Sequence, residues 1–254
     1  MRTAHRVLNP DTPGYIPRGL CALGVMSKAP QPGEVKTRLV PPLTHDEAAQ
    51  LNACFLRDTA AAISAVAPAT ARGIAVYTPL GSEGVYVDVL PPNFDLLPQR
   101  GEGFGERLYF AAADLFKCRF ETVCLINSDS PTVPVESFAQ AVDLLHLPGD
   151  RIVLGPSDDG GYYLIGFKKL HREVLDRIEW STERVFDQTL QRAGEIGVEV
   201  KLLPRGYDID DRGALQRLCS ELLNENSRDH AAPATRKFLS EIVEREGRPR
   251  IWPA

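Results

Sequence analysis

The sequence predicts one α/β domain, a mixed and mostly parallel sheet with helices on both faces. Three observations predict it. Short apolar runs alternate with segments of helical period, the pattern of a parallel sheet wrapped by crossover helices. Two of those runs, 151–154 and 162–167, flank an Asp-Asp-Gly-Gly turn, which adds an antiparallel element. No linker-like shift in composition interrupts residues 20–225 of the 254. Residues 1–19, polar and rich in Pro and Gly, are expected to form a loose arm, and 226–254 a C-terminal extension with one helix.

The elements follow in order. The apolar run 21–27 is a first strand, and a Pro/Gly/basic loop from Lys28 to Pro42 leaves it. Thr44 with Glu47 three residues on is a capping box. Leu51, Phe55, Thr59, Ala62, Ile63 and Val66 then recur at helical spacing, so 45–66 is a helix. Strands are expected at 73–78 and 94–97. Gly101 to Gly105 opens a helix with Phe104, Leu108, Ala111 and Leu115 on its apolar face. A buried strand at 122–126 precedes a helix carrying Val135, Phe138, Val142 and Leu145. Trp180-Ser181-Thr182 reads as a helix start with Ser181 or Thr182 as cap. A late strand at 198–203, a helix with Leu215, Leu218 and Leu222, and a last helix with Phe238 and Ile242 complete the chain.

Composition narrows the function. Apolar residues are 43% and charged residues 25%, which excludes a disordered chain or a fibre. No apolar run approaches the ~20 residues of a membrane helix, and the first 18 residues lack a secretory h-region. The net charge of −5 makes the chain a poor nucleic-acid binder. The five cysteines form no C-x-x-C pair and sit among apolar residues, so they are expected to be reduced, buried thiols of a cytoplasmic protein.

Four stretches could carry chemistry. Lys28 to Leu39 lacks Walker spacing, but Pro30 and Pro32 stiffen it and Gly33 allows close backbone approach. Lys36 and Arg38 alternate with Val35 and Leu39, so an extended loop would turn both cations to one face, suited to a di- or triphosphate. A solvated basic loop is the plainer alternative. Asp129 closes the strand 122–126 and is placed to hold Mg²⁺ or Mn²⁺ on a pyrophosphate, or else Asp129 or Ser130 caps the next helix. Asp158 and Asp159 precede Gly160-Gly161, where hairpin-turn chemistry and contact with a substrate are both open. Asp208-Ile209-Asp210-Asp211 carries more carboxylates than capping needs, so Asp208 or Asp210 is a candidate second metal ligand while Asp211 caps a helix.

Taken together and in this order, the blocks Lys28–Leu39, Gln99–Leu108, Ser128–Pro131, Gly155–Gly166, Trp180–Thr182 and Asp208–Asp210 resemble the bacterial GT-A-like glycosyltransferase family of the nucleotide-diphospho-sugar transferase superfamily. Some of its members are assigned to arsenosugar biosynthesis. The match spans roughly residues 21–223. The resemblance implies a Rossmann-like GT-A fold and a divalent metal, Mg²⁺ or Mn²⁺, at Asp129 with Asp208 or Asp210. It makes Lys28, Gly33, Lys36 and Arg38 the phosphate loop and assigns Gln99 and Gly101 to the nucleotide. Asn127 stands where glycine is usual, and Asp211 where threonine is usual.

The implied function is glycosyl transfer from a nucleotide sugar to a small acceptor, with Asp159 or Asp158 facing the acceptor as general base. The same blocks resemble, more distantly, the phospholactate guanylyltransferases. The rival function is therefore nucleotidyl transfer from a nucleoside triphosphate to a small phosphorylated or carboxylated acid. A catalytically silent nucleotide-binding module is the third alternative.

Overall fold

The computed structural model describes residues 4–224 and 231–251. The boundary expected at 225/226 lies outside the described residues. Seven strands form one sheet in the order β3-β2-β1-β4-β6-β5-β7. They are β1 (Cys21–Lys28), β2 (Ala71–Thr78), β3 (Asp95–Pro98), β4 (Thr122–Ile126), β5 (Arg151–Pro156), β6 (Tyr162–Phe167) and β7 (Glu199–Leu202). Six point one way. β6 alone runs antiparallel, to β4 on one side and β5 on the other. The mixed, mostly parallel sheet expected from the sequence is therefore the one observed.

Helices α1 (His45–Ser64) and α3 (Val135–His146) cover one face. Leu56, Ala60 and Ile63 of α1 and Phe138, Val142 and Leu145 of α3 bury against Leu23, Val25 and Ile126. Helices α2 (Phe104–Lys117) and α4 (Val185–Glu195) cover the other, where Leu108, Ala111, Leu115 and Ala193 meet Ala22, Val76 and Leu125. Neighbouring strand residues face opposite sides, so Ala22 and Leu23 serve different cores. A third cluster joins α1 to α5 (Arg212–Leu223) and α6 (Pro233–Glu246) through Leu51, Phe55, Leu215, Leu218 and Leu239. The capping box starts α1 as expected, with Glu47 N donating to Thr44 Oγ1 at 3.2 Å and Thr44 N to Glu47 Oε2 at 2.9 Å. Asp211 caps α5, accepting from Ala214 N at 2.8 Å.

Three local expectations are corrected. Residues 5–8 are not loose: Leu8 N donates to Leu96 O, Leu96 N donates to Arg6 O, and Arg6 pairs with Asp95 at 2.6 Å, so this part of the arm lies along β3. The helix expected at Trp180 begins at Val185 and has no side-chain cap. The loop after β1 is not extended through Lys36, because that residue is left-handed (φ 49°) and Thr37–Leu39 is a 3-10 turn. The five cysteines are free and buried. Among the described residues, no helix is long and apolar enough to cross a membrane.

Candidate active site

The strand ends that carry β1, β4 and β5 into their loops open onto one cleft of about 760 Å³. A sheet whose strand order reverses beside β1 leaves such a crevice at its carboxyl edge. Lys28, Lys36, Arg38, Gln99, Asp129, Asp159, Asp208 and Asp210 all line it. Gly33, Gly101 and Asp158 do not. Gly33 (φ 77°) serves the turn that aims the loop. Gly101 (φ 106°) packs against Glu106 and Arg107, where a Cβ would be crowded at 3.0–3.1 Å.

Lys36 is the hub. Its left-handed backbone turns the side chain inward until it is 5% exposed. There Nζ donates to Asp129 at 2.8 Å, to Asp210 at 2.8 Å and to the Ile209 carbonyl at 2.8 Å. It also stands 5.6 Å from the centre of the Phe55 ring. Burial works against the ammonium, but Asp129 and Asp210 outweigh it and hold its pKa above the ordinary lysine value. Burial likewise works against the Asp210 carboxylate, and Lys36 outweighs it and holds that pKa low. Ile209 N donates to the Asp129 carbonyl at 3.0 Å, which fixes the two acidic stretches to each other through backbone.

Asp208 behaves differently. It accepts from Ser157 Oγ at 3.0 Å, and burial with the charges of Asp159 and Asp210 pushes its pKa up to about 6. Asp159 accepts from Gly161 N at 2.9 Å within its own turn. Asp158 turns away and pairs with Arg217 at 2.6 Å. Lys28 pairs with Glu34 at 2.7 Å at the surface and Arg38 is exposed, while Lys36 is buried, so the loop cations line the same cleft at different depths.

Phe104 and Trp180 give the lining an aromatic patch. Phe104 is half exposed and meets Trp180 edge-on at 5.2 Å. The loop carrying Trp180 is latched to the β5–β6 turn, where Phe186 N donates to Gly160 O at 2.8 Å. Gly160 is left-handed (φ 85°), and a Cβ there would meet Glu183 O at 2.1 Å.

Two amides complete the lining. Gln99 Nε2 donates to Val76 O at 2.7 Å and Ser27 O at 3.2 Å, which leaves Oε1 as its acceptor, unpaired among the described residues. Asn52, on α1, is 6% exposed and lines the cleft. The sequence reading did not single out Asn52. It sits between Leu51 and Phe55 as one polar residue on a buried stripe, a signal that only a polar break in a helical apolar pattern could have given.

Divalent magnesium and manganese take one or two protein carboxylates and complete their shell with phosphate oxygens and water. Among the described residues, no three acidic, histidine or cysteine side chains converge to hold an ion by themselves. Asp129 and Asp210, drawn to a common point by Lys36, fit the partial donor set of an ion shared with phosphates.

A mixed sheet of this order with the cleft at its carboxyl edge is the fold of nucleotide-diphospho-sugar transferases and nucleotidyltransferases. Residues 59–182 match the family described as "Uncharacterized protein conserved in bacteria (DUF2064)". That span holds Gln99, Asp129 and Asp159 but not the Lys28–Arg38 loop or Asp208 and Asp210.

The chain is similar to a candidate nucleotide-diphospho-sugar transferase from Desulfovibrio desulfuricans G20, at 29% identity and TM-score 0.78, over 89% of this chain and 97% of that one. The superfamily resemblance seen in the sequence is thereby borne out. CMP:2-keto-3-deoxy-manno-octonic acid synthetase complexed with CTP shares the fold at 10% identity and TM-score 0.51, over 79% of this chain and 97% of that one. So does 4-diphosphocytidyl-2C-methyl-D-erythritol synthase from Anaerococcus prevotii DSM 20548, at 14% identity and TM-score 0.53, over 81% and 97%. No protein of curated function matches the sequence.

Proposed function

We propose that the protein is a metal-dependent transferase that takes a glycosyl group from a nucleotide-diphospho-sugar to a small acceptor. The observation that carries this reading is the meeting of Lys36, Asp129 and Asp210 at one point of the cleft, from chain segments more than 80 residues apart in each acidic pairing. The likeness to the candidate transferase from Desulfovibrio desulfuricans supports the same class of donor.

In this reading Lys28, Lys36 and Arg38 bind the donor's phosphates, and Asp129 and Asp210 would hold Mg²⁺ or Mn²⁺. The ion would supply charge neutralisation for the leaving nucleoside diphosphate. Gln99 offers Oε1, and Asn52 its amide, to polar edges of the nucleoside. Asp159 takes the proton of the acceptor hydroxyl. The Phe104–Trp180 pair offers an apolar surface beside the acceptor.

The test is incubation with Mn²⁺ and panels of nucleotide sugars and nucleoside triphosphates. Nucleoside diphosphate released from a nucleotide sugar is the expected result. Pyrophosphate released from a triphosphate instead transfers the assignment to nucleotidyl transfer. Ligand-induced thermal stabilisation with no turnover of either panel overturns both and leaves a binding module.

A further inference from the structure

We propose that Lys36 is a displaceable cation, which holds the divalent ion's place between Asp129 and Asp210 and gives it up when the ion arrives with the donor's phosphates. The geometry points there. An ammonium has three hydrogens, and Lys36 Nζ has three acceptors at 2.8 Å: Asp129, Asp210 and the Ile209 carbonyl. Its donors are all in use, so it has none left for a phosphate while it stays where it is. Its side chain is sealed, whereas those of Asp129 and Asp210 remain open to the cleft at 31% and 51% exposure. A divalent ion entering from the cleft therefore reaches the same carboxylates from the open side.

Lys36 Nζ sits on Oδ1 of each carboxylate, so an ion on the same pair meets a like charge at close range, where the two repel steeply. The ammonium must retreat as the ion binds, and phosphate oxygens are the acceptors that replace the two carboxylates. Lys36 thus makes the ion and the phosphates enter together. Alone, the ion meets an occupied pair of carboxylates. Alone, the phosphate meets a lysine already committed. The left-handed turn at Lys36 and the 3-10 turn behind it are the short segment that would move.

This inference rests on the donor reading above, and its test does not depend on turnover. Mn²⁺ binding to the whole protein is measured by electron paramagnetic resonance with no nucleotide added. The parent protein is expected to bind Mn²⁺ weakly. Lys36→Met and Lys36→Gln are expected to bind it at least tenfold more tightly, and Asp129→Asn added to either variant is expected to abolish the gain. Lys36→Gln keeps two amide hydrogens for the same acceptors and serves if Lys36→Met does not fold. A Lys36→Met protein that is folded only when Mn²⁺ is present also supports exchange. Affinity in both variants no tighter than the parent's overturns it. So does a gain that survives Asp129→Asn, which puts the ion elsewhere. A protein without transferase activity still gives one of these answers, so failure of the functional reading and failure of the exchange are told apart.

Discussion

Arg217 donates to Asp158 at 2.6 Å and lays its guanidinium 3.7 Å above the centre of the Tyr207 ring, which holds Asp158 out of the cleft while its neighbour Asp159 lines it. Adjacent carboxylates thus have different surroundings, and the two can be separated by experiment. Asp159→Asn is expected to lower turnover by about 10²–10⁴, the range for loss of a general base. Asp158→Asn is expected to be at least tenfold less damaging, since it removes an exposed ion pair of the kind worth about 0–1 kcal/mol. Initial rates of nucleoside diphosphate release check both. Equal losses would reject the assignment to Asp159.

Asn52 is 6% exposed and lines the cleft, and its amide is not among the sealed, unpartnered polar atoms of the described residues. An amide at the wall of a cleft can exchange hydrogen bonds with water, so an apolar residue of similar shape changes stability little. Asn52→Leu should therefore melt close to the parent's temperature while binding the nucleotide roughly tenfold more weakly, about 1.4 kcal/mol. Isothermal titration with the preferred nucleotide, beside a melting curve, reads both. Loss of stability together with unchanged affinity would make Asn52 a structural residue.

How much of this was legible beforehand can be judged from such residues. The strands and helices were, because buried runs such as 122–126 and the Thr44–Glu47 cap are local signals. The acidic stretches were legible as candidates because three carboxylates in four residues exceed what a cap requires. What the sequence could not show was which atom meets which. Lys36 and Arg38 alternate in sequence and both line the cleft, yet a single left-handed residue buries Lys36 against the carboxylates and leaves Arg38 exposed. Its partner Asp210 is 174 positions away, a pairing that only the tertiary fold creates. Asn52 hid inside a regular helical pattern for the same reason: its neighbours come from other parts of the chain.

Gly160 combines a positive φ with contact at its missing Cβ. Gly160→Ala meets both the left-handed penalty, about 1–2 kcal/mol, and the Glu183 carbonyl. The expected outcome is a lower melting temperature and a displaced Trp180 loop, seen as a changed indole emission. On the proposed function, which puts Trp180 at the acceptor end, the apparent KM for acceptor should rise more than that for donor. An unchanged ratio of the two would show that the latch does not shape that end.

Glu47 supports the start of α1, the helix that carries Asn52. Hydrogen bonding from Arg250 and from the Thr44 backbone, against a cost of burial, holds its pKa down at about 2. Because the folded value lies below the ordinary carboxylate value of 4.5, its contribution is fully present above that value. It is lost as pH falls through about 2. Glu47→Gln is expected to destabilise the protein by about 2 kcal/mol at neutral pH, the size of a shift of this order after allowance for solvent at the arginines. Denaturant titrations on both proteins should converge between about pH 5 and pH 2. A constant difference across that window would show that the carboxylate's charge is not the source.

The arm laid along β3 has an effect beyond the cleft. Its hydrogen bonds to Leu96 occupy groups that an outer strand otherwise offers to any passing chain. The opposite flank, β7, is only four residues long and carries Glu199 and Lys201, joined at 2.7 Å. One flank is thus covered and the other is short and charged, so neither is a good template for strand-by-strand growth, and concentrated protein gains a safeguard against coalescing into fibrils.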